Sequence, residues 1–156
     1  MTGKLQAAIQ QRRPFVSLEA EAYLNLQRSA DALMRGLAGV LKPAGLSPAQ
    51  YNILRILRGA GSDGLSCGEV GERMITRDPD MTRLLDRMEK RKLISRAREC
   101  SDRRVVRVRI AAEGLKRVNS LDSPVASLHR RQLGRMGDRR LRALIDLLEE
   151  ARGEGS

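Results

Sequence analysis

The chain has 156 residues and a formal net charge of +11, from 30 Lys and Arg against 19 Asp and Glu. That length predicts one domain, and the positive excess favours a polyanionic partner. No stretch is apolar and unbroken for the roughly 20 residues a membrane span needs, and the start, MTGKLQAAIQQRRPF, lacks the apolar core of a secretory signal, so a cytoplasmic location with no membrane partner is expected. Aromatic side chains are confined to Phe15, Tyr23 and Tyr51. Single strands and RNA loops are gripped by stacking bases on such rings. Duplex DNA is therefore the better-suited polyanion.

Residues 1–16 carry Gln, Arg and one Pro without clear period and read as a flexible N-terminal arm. From Ser17 to about Leu41, apolar residues recur at Leu26, Ala30, Leu33, Leu37 and Val40/Leu41. Steps of three and four mark an amphipathic helix, and Lys42-Pro43-Ala44-Gly45 stops it. Ser47-Pro48-Ala49-Gln50 then supplies an N-cap, a proline at the first helical position and a capping box. Tyr51, Ile53, Leu54, Ile56 and Leu57 give that helix its buried side. The Gly-rich loop from Gly59 to Gly64 lacks the Lys-Ser/Thr ending of a phosphate-binding loop. Leu65 is a candidate for a brief strand. Ser66 with Glu69 predicts a second capping box, opening a short helix from about Cys67 to Met74.

Ile75-Thr76-Arg77 makes a turn, after which Asp78 and Pro79 read as N-cap and first residue of the next helix. Two helices so closely spaced form a helix-turn-helix candidate. In the second of them Met81, Leu84, Leu85 and Met88 share one stripe, while Arg83, Asp86, Arg87 and Lys90 lie opposite. A solvated charged face is the ordinary reading of such a pattern. A DNA-reading face gains weight from the adjoining segment, a two-stranded ribbon in which Val106, Val108 and Ile110 alternate with Val105, Arg107 and Arg109. Its connection, Glu99-Cys100-Ser101-Asp102, is polar, and Asp102 is expected to orient the Arg104 guanidinium through a charge-assisted hydrogen bond. A helix joined to a basic ribbon suits a major groove and its flanking backbone or minor groove.

Ala111 to Leu121 returns to helix, with a kink expected at Asp122-Ser123-Pro124 and resumption to about Leu133. A break from Gly134 to Gly137 precedes a last helix, for which Asp138 is the expected cap. Leu141, Leu144, Ile145, Leu147 and Leu148 give it an apolar stripe, and Gly153 to Ser156 trail into solvent. Cys67 and Cys100 are too few for a disulfide scaffold and lack metal-pair spacing. They read as ordinary thiols, with redox sensing at Cys67 as the alternative, since the first turn of a helix favours a thiolate. His129 reads as a structural histidine. No Ser/His/Asp grouping, paired metal-binding His or nucleotide fingerprint is present, so neither an enzyme nor a cofactor is expected.

Three segments, LSPAQYNILRILRGAGSDGLS, GERMITRDPDMTRLLDRMEKRKLISR and SDRRVVRVRIAAEG, closely resemble the MarR-type (multiple antibiotic resistance regulator) winged-helix transcription factors from about Leu46 to Gly114. The terminal helices agree in position and length. The resemblance implies a mainly α fold with a small β-ribbon, in the order α-α-(β)-α-α-β-β-α-α, forming an intertwined homodimer. It implies a single domain over 1–156 with a DNA-binding lobe at 46–110 and a helical dimerisation lobe from 17–41 plus 112–151. It places Arg77, Asp80, Thr82, Arg83 and Arg87 at or near the reading helix, and Asp102, Arg103 and Arg104 in the wing. A small-molecule effector, an aromatic or phenolic anion held between the lobes, is also implied by the resemblance. Two positions depart from the pattern. Lys92 stands where many members have Gly, which costs ~1 kcal/mol if the backbone is left-handed. Ala111 replaces a capping Thr, which weakens the cap by about 1 kcal/mol.

The function expected from these readings is sequence-specific binding of a palindromic operator by a homodimeric transcriptional repressor, released by a small ligand. The alternatives are a non-sequence-specific architectural DNA-binding protein, and a cysteine-based redox regulator of the same fold.

Overall fold

The computed structural model describes residues 3–154. Among the described residues, seven α-helices and three strands succeed one another in order: α1 (Lys4–Ala8), α2 (Leu18–Leu41), α3 (Pro48–Ala60), β1 (Leu65–Ser66), α4 (Cys67–Arg73), α5 (Met81–Lys90), β2 (Ile94–Arg98), β3 (Val106–Ile110), α6 (Ala112–Leu133) and α7 (Asp138–Ala151). The described residues up to Gly36 form one unit and those from Leu37 onward another, a division that falls inside α2.

In the first unit, α1 occupies part of the segment read as a structureless arm, and its Leu5 is buried. Met1 and Thr2 of that arm, and Gly155 and Ser156 of the expected tail, lie outside the described residues. Ser17 caps α2 by accepting a hydrogen bond from the Ala20 N–H at 3.1 Å. Leu18, Tyr23 and Leu26 remain exposed on that helix.

The second unit holds the main core. Leu41, Ile53, Leu54, Leu57, Val70, Leu85, Met88, Leu93, Val108 and Val118 are almost wholly removed from solvent. They come from α2, α3, α4, α5, the turn after α5, the sheet and α6, so a helical layer closes over a small sheet. The sheet is antiparallel, ordered β1-β3-β2, with Leu65 opposite Val108 and Ile94 opposite Ile110. Two close approaches fix it. A Cβ on Gly64, whose φ is +67°, would sit 2.5 Å from the Val108 carbonyl oxygen, and one on Gly114 would sit 2.1 Å from that of Leu93. Any side chain at Gly114 would push the start of α6 off the foot of β2.

Both sequence-predicted capping boxes form. Ser47 and Gln50 exchange bonds of 3.2 and 3.1 Å, and Ser66 and Glu69 bonds of 3.2 and 2.7 Å. Elsewhere local competition changes the outcome. The cap of α5 is Asp80, not Asp78: Asp80 accepts from the Arg83 N–H at 3.2 Å, while Asp78 accepts from the Asp80 N–H at 2.8 Å and shapes the turn. The residue at the cap of α7 is Gly137 at φ +74°, with Asp138 one place inside the helix. Pro124 lies within a continuous α6, since one lost backbone bond is tolerated where Val118, Leu121, Val125 and Leu128 hold the helix by burial.

Lys92 does adopt a left-handed backbone, with φ 58°. The turn there is a Schellman closure: the Leu93 N–H donates to the Met88 carbonyl at 3.0 Å and the Lys92 N–H to that of Glu89 at 2.9 Å. Ala111 caps α6 without a side-chain bond, its own N–H donating to the Leu93 carbonyl at 3.0 Å.

Candidate nucleic-acid interface

The turn between α4 and α5 is set by a residue that local pattern does not reveal. Asn52, on α3, accepts a hydrogen bond from the Ile75 N–H at 2.9 Å and so holds the turn from behind. Leu84, Leu85 and Met88 bury the inner face of α5, and Met81 packs against the same core. That leaves Thr82, Arg83 and Arg87 exposed along the outer face, with Arg77 exposed on the turn before it. Asp80 works twice. Besides capping the helix, its Oδ2 lies 3.2 Å from Arg83 Nε, an ion pair whose members are 50% and 77% exposed. Such an exposed pair adds little stability, but it aims the guanidinium and leaves both terminal nitrogens free.

The wing is the β2–β3 hairpin. Its tip closes through the Glu99 N–H donating to the Val105 carbonyl at 2.9 Å and the Val105 N–H to that of Asp102 at 3.0 Å. Arg98 Nη1 donates to the Arg103 carbonyl at 2.7 Å. Asp102 differs from the expectation: it accepts from the Arg104 backbone N–H at 3.0 Å, not from the guanidinium. An aspartate two residues back reaches the nearer backbone donor first, forming an Asx-type turn. Arg103 and Arg104 are exposed at the tip, and neither side chain has a carboxylate partner among the described residues. The structure thus brings Arg77, Asp80, Thr82, Arg83 and Arg87 onto α5 and the turn before it, and Asp102, Arg103 and Arg104 onto the hairpin tip.

Not every cation of this region is available. Arg96, on β2, is held by Asp86 and by Glu89, whose carboxylate lies 3.2 Å away. The Arg96 guanidinium keeps the Glu89 carboxyl below its ordinary range. Arg107, on β3, is held by Glu69 at 3.0 Å and by Glu99. The Ser66 backbone bond, then the Ser66 hydroxyl, then Arg107 lower the Glu69 carboxyl. Arg109 Nε donates to the Ser62 carbonyl at 2.7 Å. None of these partnerships has a sequence signal, because the partners sit on different elements.

A further ion pair joins α3 to α6. Arg58 grips both oxygens of Asp122 at 2.9 and 3.0 Å and reaches Asn119 at 2.8 Å, and its hydrogen bonds, then its charge, lower the Asp122 carboxyl. Cys67 opens α4 and packs partly buried against the core, while Cys100 is exposed at the wing tip; both are free thiols. His129 is exposed on α6, rather than satisfied in a core.

No helix among the described residues is long and apolar enough to cross a membrane. The sequence pattern of the MarR family matches residues 46–106, the span from the cap of α3 to the start of β3. A MarR transcription factor of known crystal structure from Planctomyces limnophilus is 39% identical, with a TM-score of 0.66 over 87% of this chain and 98% of that one. The crystal structure of the S. aureus MepR–DNA complex matches with a TM-score of 0.76 at 19% identity, over 85% of this chain and 96% of that one. The transcriptional repressor MdtR of Bacillus subtilis is 31% identical over 97 residues, 62% of this chain and 61% of MdtR, so that match spans less than two thirds of the repressor's length. With a helix-turn-helix, a hairpin wing in a three-stranded sheet and a MarR relative 39% identical over 98% of its length, this chain belongs to the MarR family.

Proposed function

We propose that the chain is a sequence-specific regulator of transcription that binds double-stranded DNA, acting as a repressor on a palindromic operator. The observation that carries this reading is the placement of exposed arginines. Arg83, aimed by Asp80, stands at the exposed start of α5, and Arg103 and Arg104 stand at the tip of the hairpin beyond it. A helix of that kind fits the major groove, and an arginine-bearing tip fits the backbone or the narrower groove beside it. Arg77, Thr82 and Arg87 extend the same surface, and Asp102 shapes the tip.

A homodimer is the assembly that suits this chain. In α7 no residue is buried, and Ile145 and Leu147 are 52% and 63% exposed. A second copy covers such a stripe economically, since closed two-fold pairing is the commonest assembly. Two-fold pairing also sets two reading helices about one DNA turn apart, roughly 34–36 Å, which makes the operator palindromic. For an effector, the cleft of about 390 Å³ lined by Pro43, Ala44, Gly45, Glu113, Lys116, Arg117 and Ser120 offers cationic groups to an aromatic or phenolic anion. Ligand release then works by population shift, the ligand favouring a half-site spacing that no longer matches DNA.

Selection of bound duplex from a randomised pool, then titration at several salt concentrations, tests the reading. Arg83→Ala and Arg104→Ala are each expected to weaken binding to the selected duplex by about 1–3 kcal/mol, or roughly 5- to 150-fold, with the dimer intact by light scattering. Wild-type affinity in both variants overturns it. Equal affinity for selected and random duplex selects an architectural DNA-coating protein instead.

A further inference from the structure

We propose that Arg107 is a positioning residue for duplex reading: it locks the wing against α4 and makes no phosphate contact of its own. The inference rests on the DNA-binding reading above and names a part of that same surface. Arg107 lies on β3, and its side chain spans two elements. Nε donates to Glu99 at the root of the hairpin tip, and Nη1 donates to Glu69 Oε2 on α4 at 3.0 Å. That same Oε2 accepts the Ser66 N–H at 2.7 Å, the bond that closes the cap of α4. Ser66 is also the residue opposite Arg107 in the β1–β3 register. One carboxylate oxygen therefore joins the helix start to the hairpin, at a point where the backbones already pair.

Charge separates this arginine from those at the tip. Two carboxylates face one guanidinium, so the cluster is net negative and repels a phosphate, whereas Arg103 and Arg104 stand beyond it without carboxylate partners. Geometry supplies the need. A two-stranded ribbon is marginal by itself and free to twist, and the short β1 gives β3 only two backbone partners, Leu65 and Ser66. On the other strand Arg96 ties β2 to α5 through Asp86 and Glu89. With both strands tied, the tip arginines and the outer face of α5 keep a fixed separation. Displacement of reading groups by about 1 Å is enough to forfeit a large share of a geometry-dependent interaction.

The test uses a duplex enriched by the wild-type protein from a randomised pool and a random-sequence duplex of equal length, both fluorescently labelled and titrated over a range of salt. Arg107→Gln and Glu99→Gln are each expected to cut the preference for the enriched duplex about tenfold, leaving the slope of log affinity against log salt unchanged. The double variant is expected to lose no more than the worse single variant, because both changes break one bridge. Arg103→Gln is expected to lower the slope by about 1, as loss of a phosphate contact does. A direct contact by Arg107 gives the opposite signs: its removal lowers the slope, and Glu99→Gln tightens binding to both duplexes by freeing a cation. That result overturns the proposal, as does an unchanged preference in both variants. Thermal melting by circular dichroism checks folding, and if Arg107→Gln melts early, Glu99→Gln alone decides by the sign of its effect. If the wild-type protein enriches no duplex, the DNA-binding reading falls and this one with it. If it enriches one and the variants match it, only the positioning role falls.

Discussion

Helices α5 and α7 carry the same kind of sequence and meet opposite fates. Each sets a row of aliphatic side chains against a row of charges. In α5 the row is Leu84, Leu85 and Met88, all buried in the main core, where α5 packs against α4 and β2. In α7 the row is Leu141, Leu144, Ile145, Leu147 and Leu148, and none of it is buried. Amphipathic spacing states that a face wants cover; what covers it depends on the rest of the chain. The charges differ in the same way. Those of α5 include Asp86 and Glu89, which are already committed to Arg96, whereas Arg139, Arg140 and Arg142 at the start of α7 have no carboxylate partner among the described residues.

The largest expected effect breaks this contrast from the α7 side. Ile145→Asp removes a face that a partner copy would cover, at about 1.5–3 kcal/mol per aliphatic side chain and twice that for a symmetric pair. If the chain pairs as proposed, sedimentation is expected to show dissociation with helix content retained, and an unaltered mass would mean that no second copy covers α7. From the α5 side, Leu85→Ala is expected to cost about 2–5 kcal/mol of folding stability. Denaturant titration reads that loss, which should not depend on protein concentration if α5 belongs to the protomer's own core. A smaller effect sharpens the exit from α5. Lys92→Gly relieves a left-handed backbone at φ 58° and is expected to add up to about 1 kcal/mol, visible as a raised melting temperature.

The gentlest perturbation is acid. Arg96 holds the Glu89 carboxyl below its ordinary value of 4.5. A carboxyl with a lowered folded value stabilises the fold above its unfolded value and loses that contribution as pH falls through the folded one. Stability is therefore expected to decline with pH below about 4.5. In Arg96→Gln the Glu89 part of that decline should be absent, and a melting series across pH compares the two.

Much of this fold was legible because its signals are local. Ser47 with Gln50 and Ser66 with Glu69 each specify a helix start within four residues, and both form. The alternation at Val106, Val108 and Ile110 specified a strand, whereas the left-handed backbone at Lys92 was suggested only by the resemblance, where many members have Gly. Errors arose where several residues compete for one role. Asp78, Asp80 and Pro79 all suit a helix start, and the choice of Asp80 depends on a turn anchored by Asn52, 23 residues away from Ile75 in sequence. Asp102 reached a backbone N–H sooner than a guanidinium. The ion pairs that organise the candidate site had no signal at all. Arg96 meets Asp86 and Glu89 only because β2 folds back along α5, and Arg58 meets Asp122 across 64 residues. Helix α1 was missed because five residues are too few to display a period.

One junction has a mechanical consequence. Where α6 leaves the foot of β2, the Leu93 carbonyl receives the Ala111 N–H and leaves no room at Gly114 for even a methyl group. A tilt of α6 about that contact would be amplified along the helix. At about 1.5 Å per residue, the 22 residues of α6 make a rod about 33 Å long, so a tilt of about 5° at that contact swings its far end through about 3 Å. Run in reverse, a displacement of that size imposed at the distant end would bear on the Leu93 carbonyl, next to the first residue of β2.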